Sequence, residues 1–260
     1  MYAIITGAAN GLGYYTAIEI AKRGIPTILV DLPNQGLLGF SNEIKSKYNV
    51  DSVYYEADLT VKDELIAMAE DINQNYPVSI LINNAGLGGS SVYSEASVDY
   101  IDNIIQVNVK ATAVMCHQIL PNLLKQPKAY ILNVASMAAF SPMGFKTVYP
   151  ATKTFVYNFT KSLNAELADT NVSVAVSVPG PMSTNPDNAK RTEKQGFFGK
   201  IGAMGPEDVA KVSVDRMLKD YRVIFPNRFN VLNRWFMQNI PSRIFIPAIT
   251  RVVKREIFFK

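Results

Sequence analysis

Tyr149 and Lys153, in the run Tyr149-Pro150-Ala151-Thr152-Lys153, are four residues apart and could carry acid–base chemistry. On a helix, positions i and i+4 share a face, so phenol and ammonium would point the same way. A free tyrosine has a pKa of about 10. A nearby ammonium favours the phenolate and lowers that value, towards useful acid–base strength near neutral pH. Pro150 is tolerable in a first helical turn, and Thr147 could cap the helix. Taken alone, this spacing occurs on many surface helices by chance.

A second candidate is the glycine pattern Thr6-Gly7-Ala8-Ala9-Asn10-Gly11-Leu12-Gly13. It follows a strand-like run and opens a helix-like one. Such glycines let a backbone turn tightly and approach a pyrophosphate, which sits on the helix N-terminus. Asp31 ends the next apolar run. A carboxylate there can accept both hydroxyls of an adenosine ribose and would repel a 2′-phosphate. None of Ala8, Ala9, Asn10, Leu32 or Pro33 supplies a cation to hold such a phosphate. The residues therefore favour NAD over NADP.

These groups need a scaffold, and the chain alternates short apolar runs with helical patterns. Strands are expected at 2–6, 27–31, 53–55, 78–83, 129–134 and 172–178. Helices are expected near 11–23, 35–47, 61–75, 97–124 and 148–169. The strands are rich in Val, Ile and Leu with little alternation, as when helices cover both faces of a sheet. Repeated β-α-β order implies a parallel, doubly wound sheet in three α/β/α layers. The 260 residues read as one catalytic domain over 1–224 with a basic aromatic extension over 225–260. The polar, glycine-bearing stretch 183–205 is a candidate lid over the substrate.

The motifs occur in an order that resembles the single-domain branch of the short-chain dehydrogenase/reductase family. They are T-G-x-x-x-G-x-G, Asp58-Leu59, Asn83-Asn84-Ala85-Gly86, Asn108, Ser136, Tyr149/Lys153 and Pro179-Gly180. The similarity spans roughly residues 1–184. It implies a Rossmann-type fold and hydride transfer between NAD(H) and a carbonyl or secondary alcohol. Ser136 would hydrogen-bond the substrate oxygen, and Tyr149 would exchange a proton with it. Lys153 would bind the nicotinamide ribose and support Tyr149 electrostatically. Asn108 would hold a water linking Lys153 to solvent. Gly7, Asn10, Gly11, Leu12, Gly13, Asp31, Asp58, Leu59, Asn84, Ala85, Gly86, Pro179, Gly180, Met182 and Thr184 would line the cofactor, with Asn83 bracing the sheet. The resemblance also implies a homo-oligomer, dimer or tetramer. A non-catalytic dinucleotide-binding regulator of the same fold is the alternative from another class, and a sugar-nucleotide epimerase or dehydratase a rival enzyme.

The remaining features bound the function. One cysteine, Cys116, allows no intrachain disulfide and suits a reducing, cytoplasmic setting. With His117 the only histidine, a His/Cys metal site is not expected. Cys116 and His117 read as packing residues. No signal peptide or spanning run of 18 apolar residues is seen, and no nucleic-acid partner is expected. From Arg222 to Lys260 eight Lys/Arg stand against one acid, Glu256, a local charge of +7 within a net +4. Pro241 and Pro247 are expected to divide this aromatic tail into short pieces. It packs on the core or a second subunit, or it lies peripherally on an anionic membrane. Met137, Phe140, Met143, Phe145, Met182, Phe197 and Phe198 suggest an apolar substrate pocket.

Overall fold

Runs of Val, Ile and Leu lacking polar alternation suit strands covered on both faces, and they form the centre of the molecule. The computed structural model describes residues 1–182 and 203–258. Within them lie β1 (Tyr2–Thr6), β2 (Thr27–Asp31), β3 (Ser52–Glu56), β4 (Val78–Asn83), β5 (Ala129–Val134), β6 (Val172–Ser177) and β7 (Val223–Ile224). All pair in parallel, in the order β3-β2-β1-β4-β5-β6-β7. The direction of winding reverses between β1 and β4, which opens a crevice at their carboxyl ends. β7 was not expected, since two residues are too few for a periodic pattern.

The helices are α1 (Gly11–Ala21), α2 (Leu37–Tyr48), α3 (Lys62–Asn75), α4 (Val98–Ile105), α5 (Thr112–Leu123), α6 (Val148–Glu166), α7 (Pro206–Met217), α8 (Phe229–Asn239) and α9 (Ser242–Phe258). Pleating sends alternate strand residues to opposite faces. Ile4, Ile28, Leu81 and Ile131 pack on α3 and α5 through Leu65, Ile72, Met115 and Ile119. Their neighbours Ala3, Ile5, Leu29, Ile80, Ile82 and Leu132 pack on α1, α2 and α7 through Ile18, Leu37, Ile44, Val214 and Met217. The result is the expected three-layer sandwich.

Two expectations are corrected and one is refined. The helix expected over 97–124 is present without a break over 98–123, but with an unexpected π-helical turn over Gln106–Ala111 between α4 and α5. Pro247 does not divide the tail: α9 runs through it from Ser242 to Phe258. His117 is exposed and packs nothing inward. Cys116 is buried as expected, and burial pushes its thiol pKa up to about 12. Helix α7 was also unforeseen, although Pro206 at its start and Glu207 and Asp208 in its first turn are helix-opening residues. Arg23 ties α7 to α1 by bridging Glu19 and Asp215.

The tail docks where β5 and β6 deliver the site. Met237 of α8 packs against Met137, Tyr157 and Phe225. Thr250 of α9 accepts a hydrogen bond from the Gly144 amide at 2.9 Å, and Phe258 meets Phe145 edge-on at 5.6 Å. Among the described residues no helix is long and apolar enough to cross a membrane.

Candidate active site

The glycine turn between β1 and α1 is held by its neighbours. The Thr6 hydroxyl accepts the amides of Asn84 at 3.0 Å and Ala85 at 3.1 Å. Asn84 Nδ2 donates to the carbonyls of Thr6 at 3.0 Å and Gly7 at 3.1 Å. Gly7 has φ +66°, and a Cβ on it would lie 2.9 Å from the Ala85 Cα. A Cβ on Gly13 would fall 1.9 Å from the Gly7 carbonyl oxygen. Only glycine fits either place. Asn10 sits exposed at the N-cap of α1 without a side-chain capping bond, so the first amides of α1, beginning at Gly11, keep their capacity for an anion. Leu12 packs beneath with Met182, Met204 and Val209.

Asp31 lies at the end of β2. Its Oδ2 accepts the Ala9 amide at 2.8 Å and its Oδ1 the Leu32 amide at 2.9 Å. Each oxygen retains a second lone pair for a ribose hydroxyl. Asp58 accepts both the amide and the hydroxyl of Thr60 at 2.8 Å, and Leu59 is buried. Tight glycines, uncapped amides and a half-buried carboxylate suit a dinucleotide. The side-chain amide of Asn84 serves the turn. Asn83 braces the sheet as expected, donating to Asn133 Oδ1 at 2.9 Å.

Helix α6 carries the acid–base pair. Thr147 occupies its N-cap, but the hydroxyl makes no capping bond. Pro150 is the third helical residue, where its missing N–H costs little. Lys153 is 5% exposed and donates to the Val134 carbonyl at 2.9 Å. With no carboxylate beside it, burial lowers its pKa to about 8. Burial likewise raises the Tyr149 pKa, opposed by a hydrogen bond with Ser136. This corrects the expectation that Lys153 pulls Tyr149 down. The ammonium lies 6.0 Å from the phenol ring centre and is aimed at the β5 carbonyl, so desolvation prevails. Ser136 caps a short 3-10 turn, its Oγ accepting the Ala138 amide at 3.2 Å.

Asn108 lies in the π turn and is fully buried. Its side chain binds both main-chain groups of Leu87, at 2.8 and 2.9 Å, and the Thr152 hydroxyl at 2.9 Å. Lys153 Nζ and Asn108 Oδ1 converge on Gly86, where a Cβ would sit 3.2 and 3.1 Å from them. The stretch Ala85–Gly88 thus donates to Thr6 of the glycine turn at one end, through the Ala85 amide, and at the other passes close to Tyr149, where a Cβ on Gly88 would lie 3.6 Å from the ring.

Beside Tyr149 a small cleft is lined by Gly89, Tyr93, Tyr100, Ile101, Phe145 and Thr147. The pocket expectation needs correction here. Met137 is buried in the core, and Phe140 packs on Tyr157 and Phe225. Met182 goes to Leu12. Tyr93, Tyr100 and Ile101 were not foreseen, because their approach depends on how the loop after Gly86 folds back. Pro179 accepts the Met137 amide at 2.9 Å, and Gly180 is half-buried. Thr184, Phe197, Phe198 and residues 183–202 of the expected lid lie outside the described residues.

A family model described as short chain dehydrogenase matches residues 1–195. The chain belongs to the short-chain dehydrogenase/reductase family. This short-chain dehydrogenase is 35% identical over 183 residues to an uncharacterised oxidoreductase of Staphylococcus epidermidis, covering 70% of this chain and 78% of that one. Solved structures share its fold. A short-chain dehydrogenase from Sphingobium yanoikuyae in complex with NADPH superposes with TM-score 0.78 at 24% identity, over 93% and 96% of the two chains. One from Burkholderia phymatum in complex with NAD gives 0.79 at 21% identity, over 90% and 92%. The protein is thus an oxidoreductase of this family with a site suited to a nicotinamide dinucleotide, and these neighbours carry either form of it.

Proposed function

We propose that this protein interconverts a carbonyl and a secondary alcohol with NAD(H), using Tyr149 as general acid and base. The observation that carries the reading is one stretch of chain, Ala85–Gly88, which hydrogen-bonds Thr6 of the glycine turn at one end and passes beside the Tyr149 ring at the other. A bound nicotinamide supplies or accepts the hydride. Tyr149, kept protonated by burial, gives its proton to the substrate oxygen during reduction and recovers it during oxidation. Ser136 donates to the same oxygen as negative charge builds there. Lys153 would hold the ribose hydroxyls of a bound dinucleotide and replenish the tyrosine proton. The apolar and phenolic lining of the cleft supports an apolar substrate.

Tyr149→Phe tests the reading. NADH consumption across a carbonyl panel should fall by about 10³-fold, within the range for a lost general acid, while NADH still raises the melting temperature. Undiminished turnover in this variant overturns the assignment. Turnover absent from the parent protein, with dinucleotide binding intact, points to a regulatory dinucleotide binder.

The preference for NAD rests on Asp31 at the end of β2, a carboxylate that would accept ribose hydroxyls and repel a 2′-phosphate. NAD should therefore raise the melting temperature more than NADP at equal concentration, since stabilisation follows concentration over Kd. The opposite order overturns the cofactor form and leaves the reaction class standing.

A further inference from the structure

Helix α8 is built inside out. Its outer side carries Phe229, Val231, Leu232, Trp235 and Phe236, each between 43% and 59% exposed. Its sheltered side carries Asn230, 1% exposed, with half-buried Asn233 and Arg234. An ordinary surface helix arranges these the other way round. The orientation is fixed from within. The Arg234 guanidinium lies 5.0, 5.6 and 5.9 Å from the ring centres of Phe140, Phe225 and Tyr157, and turning the helix over would abandon all three cation–π contacts.

Exposed Ile240 and Ile244 carry the apolar strip across Pro241 into α9. The same two helices and the residue before them bear the exposed cations Arg228, Arg243, Arg251, Lys254 and Arg255. Among the described residues none of the five forms an ion pair. The sequence has a single acid, Glu256, between Arg222 and the last residue.

We propose that this face docks the protein peripherally on an anionic lipid surface. Large aromatic and aliphatic side chains flanked by cations match the boundary between headgroups and acyl chains, and a ring like that of Trp235 favours that depth. A second copy is a poorer occupant. A two-fold contact sets the same patch against itself, bringing like cations together with almost no acid to receive them. The proposal does not depend on the reaction catalysed.

Trp235 is the only tryptophan in the chain, so its fluorescence reports this face alone. The full chain is mixed with phosphatidylcholine vesicles, with and without phosphatidylglycerol. With phosphatidylglycerol the emission should shift to the blue, be quenched by brominated acyl chains, and return on adding salt. The protein should float with those vesicles. Leu232→Ser with Phe236→Ser should abolish flotation. Arg243→Gln and Arg251→Gln should each weaken partitioning by roughly fivefold. These side chains are exposed, and unchanged melting temperatures check that the variants fold. Unshifted emission and no flotation overturn the proposal, as does equal binding to pure phosphatidylcholine. Blue emission in buffer also overturns it: independent of protein concentration, the chain covers the face itself; rising with concentration, a second copy does.

Discussion

The glycine turn and the start of α6 treat their polar groups in opposite ways. Around the turn, Thr6, Asn84 and Asp31 are paired with backbone amides and carbonyls. At α6, Lys153 is buried and Tyr149 half-buried, and both are pushed towards their neutral forms. Among the described residues the ammonium has only the Val134 carbonyl as hydrogen-bond partner. The difference separates holding a shape from exchanging a proton. The first region closes its hydrogen bonds on itself and gains stability. The second leaves its ionisable side chains with few partners and loses stability in the unliganded protein.

The strongest way to break this contrast is Gly13→Ala. The new Cβ would meet the Gly7 carbonyl oxygen at 1.9 Å and Asn84 Nδ2 at 2.6 Å, so the braced turn must yield. A loss of more than about 4 kcal/mol in urea unfolding is expected, in the range of severe steric lesions. A loss below about 1 kcal/mol would mean that the turn is pliable.

Lys153→Met should do the reverse and stabilise the unliganded protein. Each pH unit of pKa depression is worth 1.36 kcal/mol, so a fall from 10.5 to about 8 corresponds to about 3 kcal/mol at neutral pH. Leaving the Val134 carbonyl unpaired returns about 1 kcal/mol, for a net gain of about 2 kcal/mol. Between pH 8 and 10.5 the unfolded lysine still binds a proton that the folded one has lost, so the parent gains stability as pH rises and the variant's advantage fades. An advantage independent of pH would refute the burial argument. An effect of similar size and opposite sign is expected for Asn84→Ala, which removes two hydrogen bonds to the turn. It should cost about 2 kcal/mol, and no measurable change would show that the brace is redundant.

Much of this contrast was legible in the residues. Local apolar runs place β1 to β6, because strands covered on both faces leave an unmixed hydrophobic signature. The order of motifs brought Ser136, Tyr149 and Lys153 to one cleft. What failed depended on distant partners. Met137 and Phe140 read as pocket residues until Tyr157 and Phe225 claimed them for the core. The sign of the Tyr149 shift required the direction of the Lys153 side chain, which i, i+4 spacing does not specify. Periodicity in α8 shows that one side is apolar and not which side faces inward; the aromatic cage around Arg234 decides that.

The π turn over Gln106–Ala111 has a consequence for how α4 and α5 can change. Closing i to i+5 instead of i to i+4 admits one surplus residue, and one residue of helix is about 100° of rotation. The turn therefore works as a phase shifter, setting Asn108 towards Leu87 and Thr152 while Met115, Cys116 and Ile119 still meet the sheet. Deleting one residue there would restore a regular spiral and force a choice between the two alignments. Substitutions can be absorbed one at a time along this stretch, whereas a change in its length must reset either the core or the cleft.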